Sequence, residues 1–473
     1  MPESILELLQ QHFPHTPTPC QEKAMQAVDT FMANRSANSL FILNGYAGTG
    51  KTTFISTLVK VLSCKGIDTV LLAPTGRAAK VMSSYAGKRA HTIHRYIYWI
   101  FTSKEGGLKV SLQANKHKNT LFIVDEASMI GTSYSSSLSG KSRLLDDLIQ
   151  YVQKGEMCNL MFVGDTAQLP PVGEEGNAAL SPAYFEGHFN MQVASSIFYT
   201  VVRQHSNSGI LHNATILREA LLQQQTELPV LNTDMFEDVK GITGTDLRDV
   251  LDYAYSCHDK QNVIVLCRSN KRANLYNQQI RVRILFREDV IATGDMLMVV
   301  KNNYFCLPEN HSAGFIANGD IVEIMRIRRI YQLYGFDFAD VTIRMCDYPD
   351  DINFETTLLL NALDVEAPAL PREETNKLFQ EVLLDYEDEK SYKAKMDKMR
   401  ENPHYNALQV KFAYAITTHK SQGGQWHTVF VDHGFLDAAN TDALFYKWLY
   451  TSFTRATDKL YLVNFDEGFF NKV

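Results

Sequence analysis

The sequence predicts an α/β protein in which parallel β-sheets are flanked by helices. Continuous apolar strands of four or five residues are typical of parallel sheets that are covered on both faces. In such sheets the ligand lies at the carboxyl ends of the strands. Four short apolar runs end abruptly in polar residues, and they are Leu40–Leu43, Val70–Ala73, Leu121–Val124 and Leu160–Val163. The polar residues that follow them are therefore the first candidates for a functional site.

The same pattern recurs in the C-terminal half of the chain. Strands are predicted at Val263–Cys267, Val429–Val431 and Leu460–Val463, which indicates a second α/β domain. Between them, residues 291–360 are rich in β-branched and aromatic side chains with turn signals, which predicts a small β-barrel insertion. Residues 371–400 are charged and predict one helix, whose apolar side consists of Leu378, Phe379, Val382, Leu383 and Tyr386.

The composition is that of an ordinary globular protein. The 473 residues are 45% hydrophobic and 21% charged, and the length suggests roughly two to four domains. A net charge of −7 argues against a protein that coats nucleic acid by bulk charge, although a local basic groove can still bind it. We expect no membrane span and no signal peptide. The seven cysteines form no CxxC pair, so free thiols in a cytoplasmic protein are expected.

Residues 45–53 (GYAGTGKTT) match the phosphate-binding pattern GxxxxGK[ST] between a predicted strand and a predicted helix. Glycines let the backbone approach phosphate, and the helix N-terminus offers free N–H groups. A lysine supplies positive charge to the β- and γ-phosphates, and the threonine after it can bind Mg²⁺. ATP with Mg²⁺ is therefore the expected ligand, and its contacts are Gly45, Ala47, Gly48, Thr49, Gly50, Lys51, Thr52 and Thr53.

Polar residues after the next two strands complete a hydrolytic site. Asp125 follows a buried strand and can hold Mg²⁺, whereas Glu126 can orient or deprotonate the attacking water. Gln168, in GDTAQLPPV at 164–172, could hydrogen-bond both the γ-phosphate and that water. Taken alone, that segment is equally consistent with a turn capped by Asp165.

These three segments resemble motifs I, II and III of superfamily one helicases, in the group of RecD and phage Dda. The resemblance extends over residues 20–470, is weakest in 96–120 and 325–400, and includes GNAALSPAYF at 176–185. It implies two RecA-like P-loop domains with a β-hairpin pin and an SH3-like β-barrel insertion. The expected boundaries are 1–195 for the first domain with the pin at 96–118, 196–290 plus 406–473 for the second domain, and 291–405 for the insertion.

The resemblance assigns further residues to the nucleotide. Gln21 resembles the glutamine that recognises adenine, and Gln422 and Gly423 of motif V can reach the nucleotide cleft. Arg203 and Arg455 resemble the arginines of motifs IV and VI, which the second domain donates to the γ-phosphate. Such an arginine accelerates related phosphoryl transfers by roughly 10³–10⁵. For both Arg203 and Arg455, the alternative is an ion pair on the protein surface.

The resemblance also assigns residues to one nucleic acid strand. For His91 and His94, the alternative is a helix cap and core packing. For Asn318, a plain turn is equally consistent. Contacts with the backbone recognise no sequence, so binding should be sequence-tolerant and salt-sensitive. The assigned residues are Pro74, Thr75, Arg77, His91, His94, Asn270, Asn318, Thr417, His419, Lys420 and Ser421.

Residues 96–112 predict two short strands around Ser103–Gly107, where the family places a strand-separating pin. Trp99 and Phe101 are candidates for separating or stacking on bases. Packing at the base of the hairpin is an equally good interpretation of both side chains.

The resemblance implies an ATP-dependent helicase or translocase that acts as a monomer on single-stranded DNA and on junctions of single and double strands, with 5′-to-3′ polarity. The residues by themselves indicate neither the polarity nor DNA over RNA. An ATPase that remodels proteins and an ATP-gated clamp on single strands are the alternatives, and a nuclease is the least supported. The residues leave open the partner proteins, the oligomeric state and the pathway, whether recombination, repair or mobile-element replication.

Overall fold

The structure is a computed structural model that describes residues 3–102, 108–133, 143–202, 208–303, 305–308, 311, 315–348, 352–389, 391–434 and 441–470. The chain divides into two compact units. The P-loop unit comprises Met1–Phe101, Lys109–Glu227 and Thr441–Thr454. The barrel unit comprises Thr102–Leu108, Leu228–Asn440 and Arg455–Val473. Among the helices of the described ranges, none is long and apolar enough to cross a membrane.

The first half of the chain folds around one parallel sheet. Numbered along the chain, its strands are β1 (Ser39–Gly45), β2 (Asp68–Ala73), β3 (Ala90–Thr92), β4 (Tyr98–Thr102), β5 (Leu108–Leu112), β6 (Thr120–Val124), β7 (Asn159–Gly164) and β8 (Gln192–Phe198). Its helices are α1 (Ile5–His12), α2 (Pro19–Ala33), α3 (Lys51–Cys64), α4 (Gly76–Ala86), α5 (Ile93–Ile97), α6 (Leu144–Gln153), α7 (Pro182–Phe189) and α8 (Gly209–Leu222). Six strands pair in parallel in the order β3-β2-β6-β7-β1-β8, and β4 and β5 form a separate two-stranded sheet.

Both faces of this sheet are covered by helices, because successive side chains of a strand point to opposite faces. In β6, Leu121 and Ile123 pack into a core with side chains of α1 to α4. Phe122 and Val124 of the same strand pack into a second core with side chains of α5 to α7. Full burial of one such side chain contributes about 1.5–3 kcal/mol. The predicted fold class is thereby confirmed, and its four apolar runs lie in β1, β2, β6 and β7.

The second half contains another parallel sheet and a barrel. Its strands are β9 (Val239–Ile242), β10 (Val263–Cys267), β11 (Met296–Val299), β12 (Ile321–Leu333), β13 (Phe336–Met345), β14 (Phe354–Leu359), β15 (Leu408–Phe412), β16 (Ala415–Thr417), β17 (Trp426–Asp432) and β18 (Ala456–Val463). Its helices are α9 (Leu247–Cys257), α10 (Asn270–Gln279), α11 (Arg372–Leu384), α12 (Tyr392–Glu401), α13 (Thr418–Ser421) and α14 (Ala443–Phe453). The parallel sheet has the order β16-β10-β17-β18-β9, and strands β11 to β15 close a five-stranded barrel, as the sequence predicted.

Some observed elements cross the domain boundaries that we expected. Strand β8 continues through residue 195 and pairs with β1 along its whole length. The P-loop unit also includes residues 196–227 and 441–454, which the sequence assigned to the second domain. The barrel takes its fifth strand, β15, from beyond residue 405. This strand pairs with β11 on one side and β14 on the other, which closes the barrel and leaves neither edge unpaired.

The charged segment 371–400 forms two helices, α11 and α12, so the prediction of one helix was wrong. The second helix begins after Ser391, whose hydroxyl accepts the N–H of Ala394 and caps α12. The predicted apolar side is confirmed, because Leu378 and Val382 are buried in one cluster with Phe338 of β13. The helix pair therefore packs against the barrel.

A buried carboxylate fixes the beginning of the barrel. Asp295, which is fully buried, accepts hydrogen bonds from the guanidinium groups of Arg281 (3.0 Å) and Arg287 (2.6 Å). It also accepts the hydroxyl of Tyr414 (2.9 Å) and the N–H of Ala292 (2.7 Å). A buried charge is tolerated only when it is paired and hydrogen-bonded, and these donors meet that condition.

We predict that Asp295→Ala lowers the free energy of unfolding by about 3–5 kcal/mol, because it leaves two guanidinium groups without their buried counterion. Urea titration followed by circular dichroism measures the change. The matched control is Asp337→Ala on the exposed side of β13, which should stay within about 0.5 kcal/mol of the parent chain. Equal midpoints for both variants would contradict a stabilising role for Asp295.

Candidate functional site

The loop between β1 and α3 has the geometry of a phosphate cradle. Gly48 and Gly50 have φ angles of +75° and +88°, which side chains other than glycine rarely adopt. A Cβ atom on Gly50 would lie 2.6 Å from Nε2 of Gln21, so space as well as backbone geometry requires glycine there. Gly50 is also the N-cap of α3 and has no side chain to cap it. The N–H groups of the first turn of α3 are thus offered to an anion.

Two side chains of the loop stabilise its conformation by donating hydrogen bonds to its own backbone. The ammonium group of Lys51 donates hydrogen bonds to the carbonyl oxygens of Gly45 and Tyr46, the latter at 3.0 Å. The buried hydroxyl of Thr49 donates to the same Tyr46 oxygen at 2.7 Å. Thr52, the predicted magnesium ligand, is exposed in the first turn of α3. Lys51 and Thr52 are the first two residues of α3 and follow the loop directly.

Gln21 connects the N-terminal helix α2 to this loop. It is buried, and its Nε2 donates to the carbonyl oxygen of Thr49 at 3.0 Å. Its Oε1 accepts the N–H of Thr18 at 2.9 Å, which forms the capping box of α2. The glutamine thus positions the phosphate loop, and its contact with adenine stays a prediction.

The predicted metal-binding carboxylate lies at the end of β6 and is held on both oxygens. Oδ1 of Asp125 accepts the N–H of Glu126 at 2.8 Å, and Oδ2 accepts the hydroxyl of Tyr85 at 2.7 Å. Burial and the charge of Asp125 raise the pKa of Tyr85 well above its usual range, so the phenol keeps the proton that it donates. A carboxylate has about four lone-pair sites, so each oxygen can still accept a metal ion or its water.

Gln168 follows β7 and has an unsatisfied polar atom. Its side chain is buried, and its Oε1 has no hydrogen-bond partner in the part of the chain that the structure describes. Leaving a buried acceptor unpaired costs about 1–3 kcal/mol, so this oxygen is a candidate to accept a hydrogen bond from a ligand. The adjacent Asp165 is fully buried and accepts the N–H of Ala167 at 2.9 Å, as the capped-turn interpretation expected.

Tyr450 and Thr451 of α14 were not among the residues predicted from the sequence. The buried hydroxyl of Tyr450 donates to Oδ2 of Asp165 at 2.7 Å and accepts the N–H of Ala47 at 2.8 Å. Thr451 accepts the N–H of Leu169 through its hydroxyl at 2.8 Å. Helix α14 therefore joins the phosphate loop to the segment that contains Gln168. The available signal was the position of both residues just before Arg455.

The candidate strand-contact segment lies beside the carboxylate site. Pro74 and Thr75 follow β2, which pairs in parallel with β6, and the N–H of Asp125 donates to the carbonyl of Leu72 at 3.0 Å. Thr75 accepts the N–H of Ala78 at 3.2 Å and caps α4, and Arg77 lies in the first turn of that helix. The carboxyl ends of adjacent strands thus bring both groups to one edge of the sheet.

The two candidate histidines pack against tyrosines. The ring of His91 lies 5.3 Å from that of Tyr96, and the ring of His94 lies 5.8 Å from that of Tyr98. Burial and two nearby arginines lower the pKa of His91 to about 4, and burial lowers the pKa of His94. Both rings are therefore neutral at pH 7, so contacts with phosphate would be hydrogen bonds rather than ion pairs.

The predicted pin lies at β4 and β5. Trp99 is 63% exposed on β4, which leaves its indole accessible to a base. The side chain of Phe101 and residues 103–107 are outside the described part of the chain. Elsewhere, Asn270 begins α10 after the cap Ser269, and Asn318 is exposed in a turn before Gly319, where the sequence also allowed a plain turn.

The barrel unit brings motif V together with Arg455. Thr417 is the N-cap of α13, and the hydroxyl of Ser421 donates to the carbonyl of Thr418 at 2.7 Å. The guanidinium of Arg455 is buried and donates to the carbonyl of Gly424 at 3.2 Å. Arg203 lies outside the residues that the structure describes.

Four further candidates of motif V differ in charge and environment. Burial and Lys411 lower the pKa of Lys420 to about 8, and burial lowers the pKa of His419. The ammonium nitrogen of Lys420 is buried and lacks a hydrogen-bond partner among the described residues, which favours an anionic ligand. Gln422 is buried, and Gly423 has a φ of +73°.

Two family models match the chain. An AAA domain model matches residues 18–219, and a UvrD-like helicase C-terminal domain model matches residues 412–463. The first match contains the phosphate loop, the carboxylates and Gln168, and the second contains motif V and Arg455. The matched stretches therefore coincide with the candidate site residues of the two units.

Similar proteins include viral and bacterial sequences. An uncharacterized protein of Acanthamoeba polyphaga mimivirus is 23% identical over 90% of this chain and 96% of its own length. The ATP-dependent DNA helicase dda of Enterobacteria phage T4 is 27% identical over 54% of this chain and 55% of its own. The ATP-dependent RecD2 DNA helicase of Deinococcus radiodurans is 32% identical over 29% of this chain and 17% of its own. The chain thus spans about half of the phage helicase and about a sixth of the bacterial one.

Among solved structures, the Pif1 helicase from Bacteroides in complex with ADP-AlF3 and ssDNA matches with a TM-score of 0.49 at 15% identity, over 97% of this chain and 95% of that chain. The assignment comes from the sequence relatives and the family models, which agree with the motifs found in the chain. The family models and the sequence relatives thus support the resemblance of this chain to superfamily one helicases in the group of RecD and Dda.

Proposed function

We propose that the protein is an ATP-dependent DNA helicase, which couples ATP hydrolysis to 5′-to-3′ movement along single-stranded DNA and to duplex unwinding. The observation that carries the proposal is the common edge of one parallel sheet. There β1, β6 and β7 end in the phosphate loop, in Asp125 with Glu126, and in the segment of Gln168, and β2 ends beside them in Pro74 and Thr75. The helicases named among the relatives support it.

The residues of this edge fit ATP and a hard cation. The glycine-lined loop and the start of α3 suit phosphate, while the hydroxyl of Thr52 and the carboxylate of Asp125 supply the oxygen ligands that Mg²⁺ prefers. Mg²⁺ would neutralise charge that develops on the phosphates. Lys51 binds the β- and γ-phosphates, and Glu126 orients or deprotonates the attacking water. The unpaired Oε1 of Gln168 accepts a hydrogen bond from that water.

The same proposal gives roles to two arginines and to the residues that contact the DNA strand. Arg455 and Arg203 contribute positive charge to the γ-phosphate in the transition state. Single-stranded DNA binds through the segment Pro74–Arg77 and through motif V, where the buried ammonium of Lys420 favours a phosphate. ATP binding and hydrolysis alternate the strength of these contacts, so that the strand advances, and the protein works as a monomer at junctions of single and double strands.

Lys51→Ala should abolish ATP hydrolysis that single-stranded DNA stimulates in the parent chain. Loss of one charge that stabilises the transition state is expected to lower kcat by about 10²–10³. A coupled assay with and without DNA measures the rate. The control Lys60→Ala lies exposed on the same helix and should behave like the parent chain. Robust hydrolysis that is indifferent to any nucleic acid would reject the helicase and favour an ATPase that remodels proteins.

Gln168→Ala should lower kcat by about 10²-fold while nucleotide affinity changes little, because its amide oxygen contacts the reacting groups rather than the loop. Steady-state kinetics together with binding of a fluorescent ATP analogue separate the two effects. The exposed Gln10→Ala serves as the control. A loss of nucleotide affinity at unchanged kcat would show that Gln168 only supports the fold of the pocket.

The double variant Trp99→Ala with Phe101→Ala should lose duplex unwinding while DNA-stimulated ATP hydrolysis is retained. The reason is that Trp99 is exposed on the hairpin, and an aromatic side chain can stack on bases at a junction with about 1–3 kcal/mol per stacked base. Unwinding of a forked duplex, measured beside hydrolysis on single strands, tests this. Unchanged unwinding at normal hydrolysis would assign both residues to packing of the hairpin.

A further inference from the structure

Tyr85 lies in the last turn of α4, and its hydroxyl donates to Oδ2 of Asp125 at 2.7 Å. The ring is partly buried and packs against the core that α4 shares with α1 to α3. A phenol hydroxyl that donates a hydrogen bond to a carboxylate oxygen restricts the rotation of that carboxylate. The second oxygen is held by the N–H of Glu126 at 2.8 Å, so both oxygens have a defined orientation.

Asp125 is also held through the strand that precedes α4. Its N–H donates to the carbonyl oxygen of Leu72 at 3.0 Å. Leu72 precedes the segment Pro74–Arg77, and Tyr85 follows it along the chain. The residues on both sides of the candidate strand-contact segment along the chain, Leu72 and Tyr85, therefore each form a hydrogen bond with Asp125.

Helix α4 provides a stiff connection between the two ends of this arrangement. Arg77 and Tyr85 are eight residues apart, which is about 12 Å along a helix. Thr75 caps the first turn through the N–H of Ala78. Near the last turn, the hydroxyl of Ser83 accepts the N–H of Ala90 at 2.8 Å, which ties the helix to β3. A shift at the first turn would therefore move Tyr85 as well.

We propose that Tyr85 is a positioning residue, which orients Asp125 for Mg²⁺ and transmits binding of a nucleic acid strand at Pro74–Arg77 to the nucleotide site. The transmission part rests on the proposed function, whereas the orientation part needs only a nucleotide and Mg²⁺. Hydrogen-bond partners of metal ligands fix the orientation of those ligands, and removing one commonly lowers metal affinity or activity 10–100-fold.

The test of orientation is the Mg²⁺ dependence of nucleotide binding in Tyr85→Phe, which keeps the ring and deletes the hydroxyl. Binding of a fluorescent, non-hydrolysable ATP analogue is titrated with MgCl2 in the absence of DNA. We expect the variant to need about tenfold more Mg²⁺ for half-maximal binding, with unchanged affinity in EDTA. The control Tyr331→Phe removes a tyrosine–aspartate hydrogen bond of 3.0 Å, to Asp340 in the barrel unit. The same Mg²⁺ midpoint in Tyr85→Phe and the control would overturn the proposal.

The test of transmission repeats the titration with a saturating single-stranded oligonucleotide. In the parent chain DNA should lower the Mg²⁺ midpoint, and in Tyr85→Phe it should lower it by a smaller factor while the Kd for DNA is unchanged. An equal factor in both proteins would overturn the transmission part. A parent chain whose nucleotide binding and hydrolysis ignore DNA would instead reject the proposed function, and the titration without DNA would still decide the orientation of Asp125.

Discussion

Parallel pairing of β1, β2, β6 and β7 is the constraint on which the rest of the P-loop unit depends. Because the strands point the same way, their carboxyl ends meet at one edge of the sheet. That edge collects the phosphate loop, Asp125 with Glu126, Gln168, and the segment after β2. The apolar strands are buried on both faces by helices, so the positions of these polar groups are set by a core in which the side chains are close-packed.

Neutral hydroxyl and amide groups then refine what the strands bring together. Tyr85 orients Asp125, Tyr450 bridges Asp165 and the N–H of Ala47, and Gln21 binds the carbonyl of Thr49. A neutral donor can hold a carboxylate in place without the full counter-charge that an arginine would supply. Asp125 can therefore stay available to a cation, which a close guanidinium would repel. The barrel unit shows the opposite solution at Asp295, where two arginines neutralise a carboxylate with a purely structural role.

Helix α14 is hydrogen-bonded to two segments of the candidate site. Its residues belong to the P-loop unit, whereas Arg455 begins the next segment of the barrel unit. Tyr450 and Thr451 attach the helix to the loop of Ala47 and to the segment of Gln168. Arg455 therefore follows directly along the chain from the helix that hydrogen-bonds to the phosphate loop.

The sequence by itself determined the fold class, four of the six strands in the sheet of the P-loop unit, the presence of a barrel and the motif residues. Continuous apolar runs and the GxxxxGK[ST] pattern depend on local geometry that neighbouring residues specify. Tertiary structure alone decided the break between α11 and α12, the use of β15 to close the barrel, and the partners of Tyr85 and Tyr450. The pairing of β15 and the bonds of Tyr85 to Asp125 and of Tyr450 to Ala47 join residues 40 to more than 400 positions apart along the chain. Local patterns in the sequence do not encode such contacts, because folding selects them by burial and hydrogen-bond geometry.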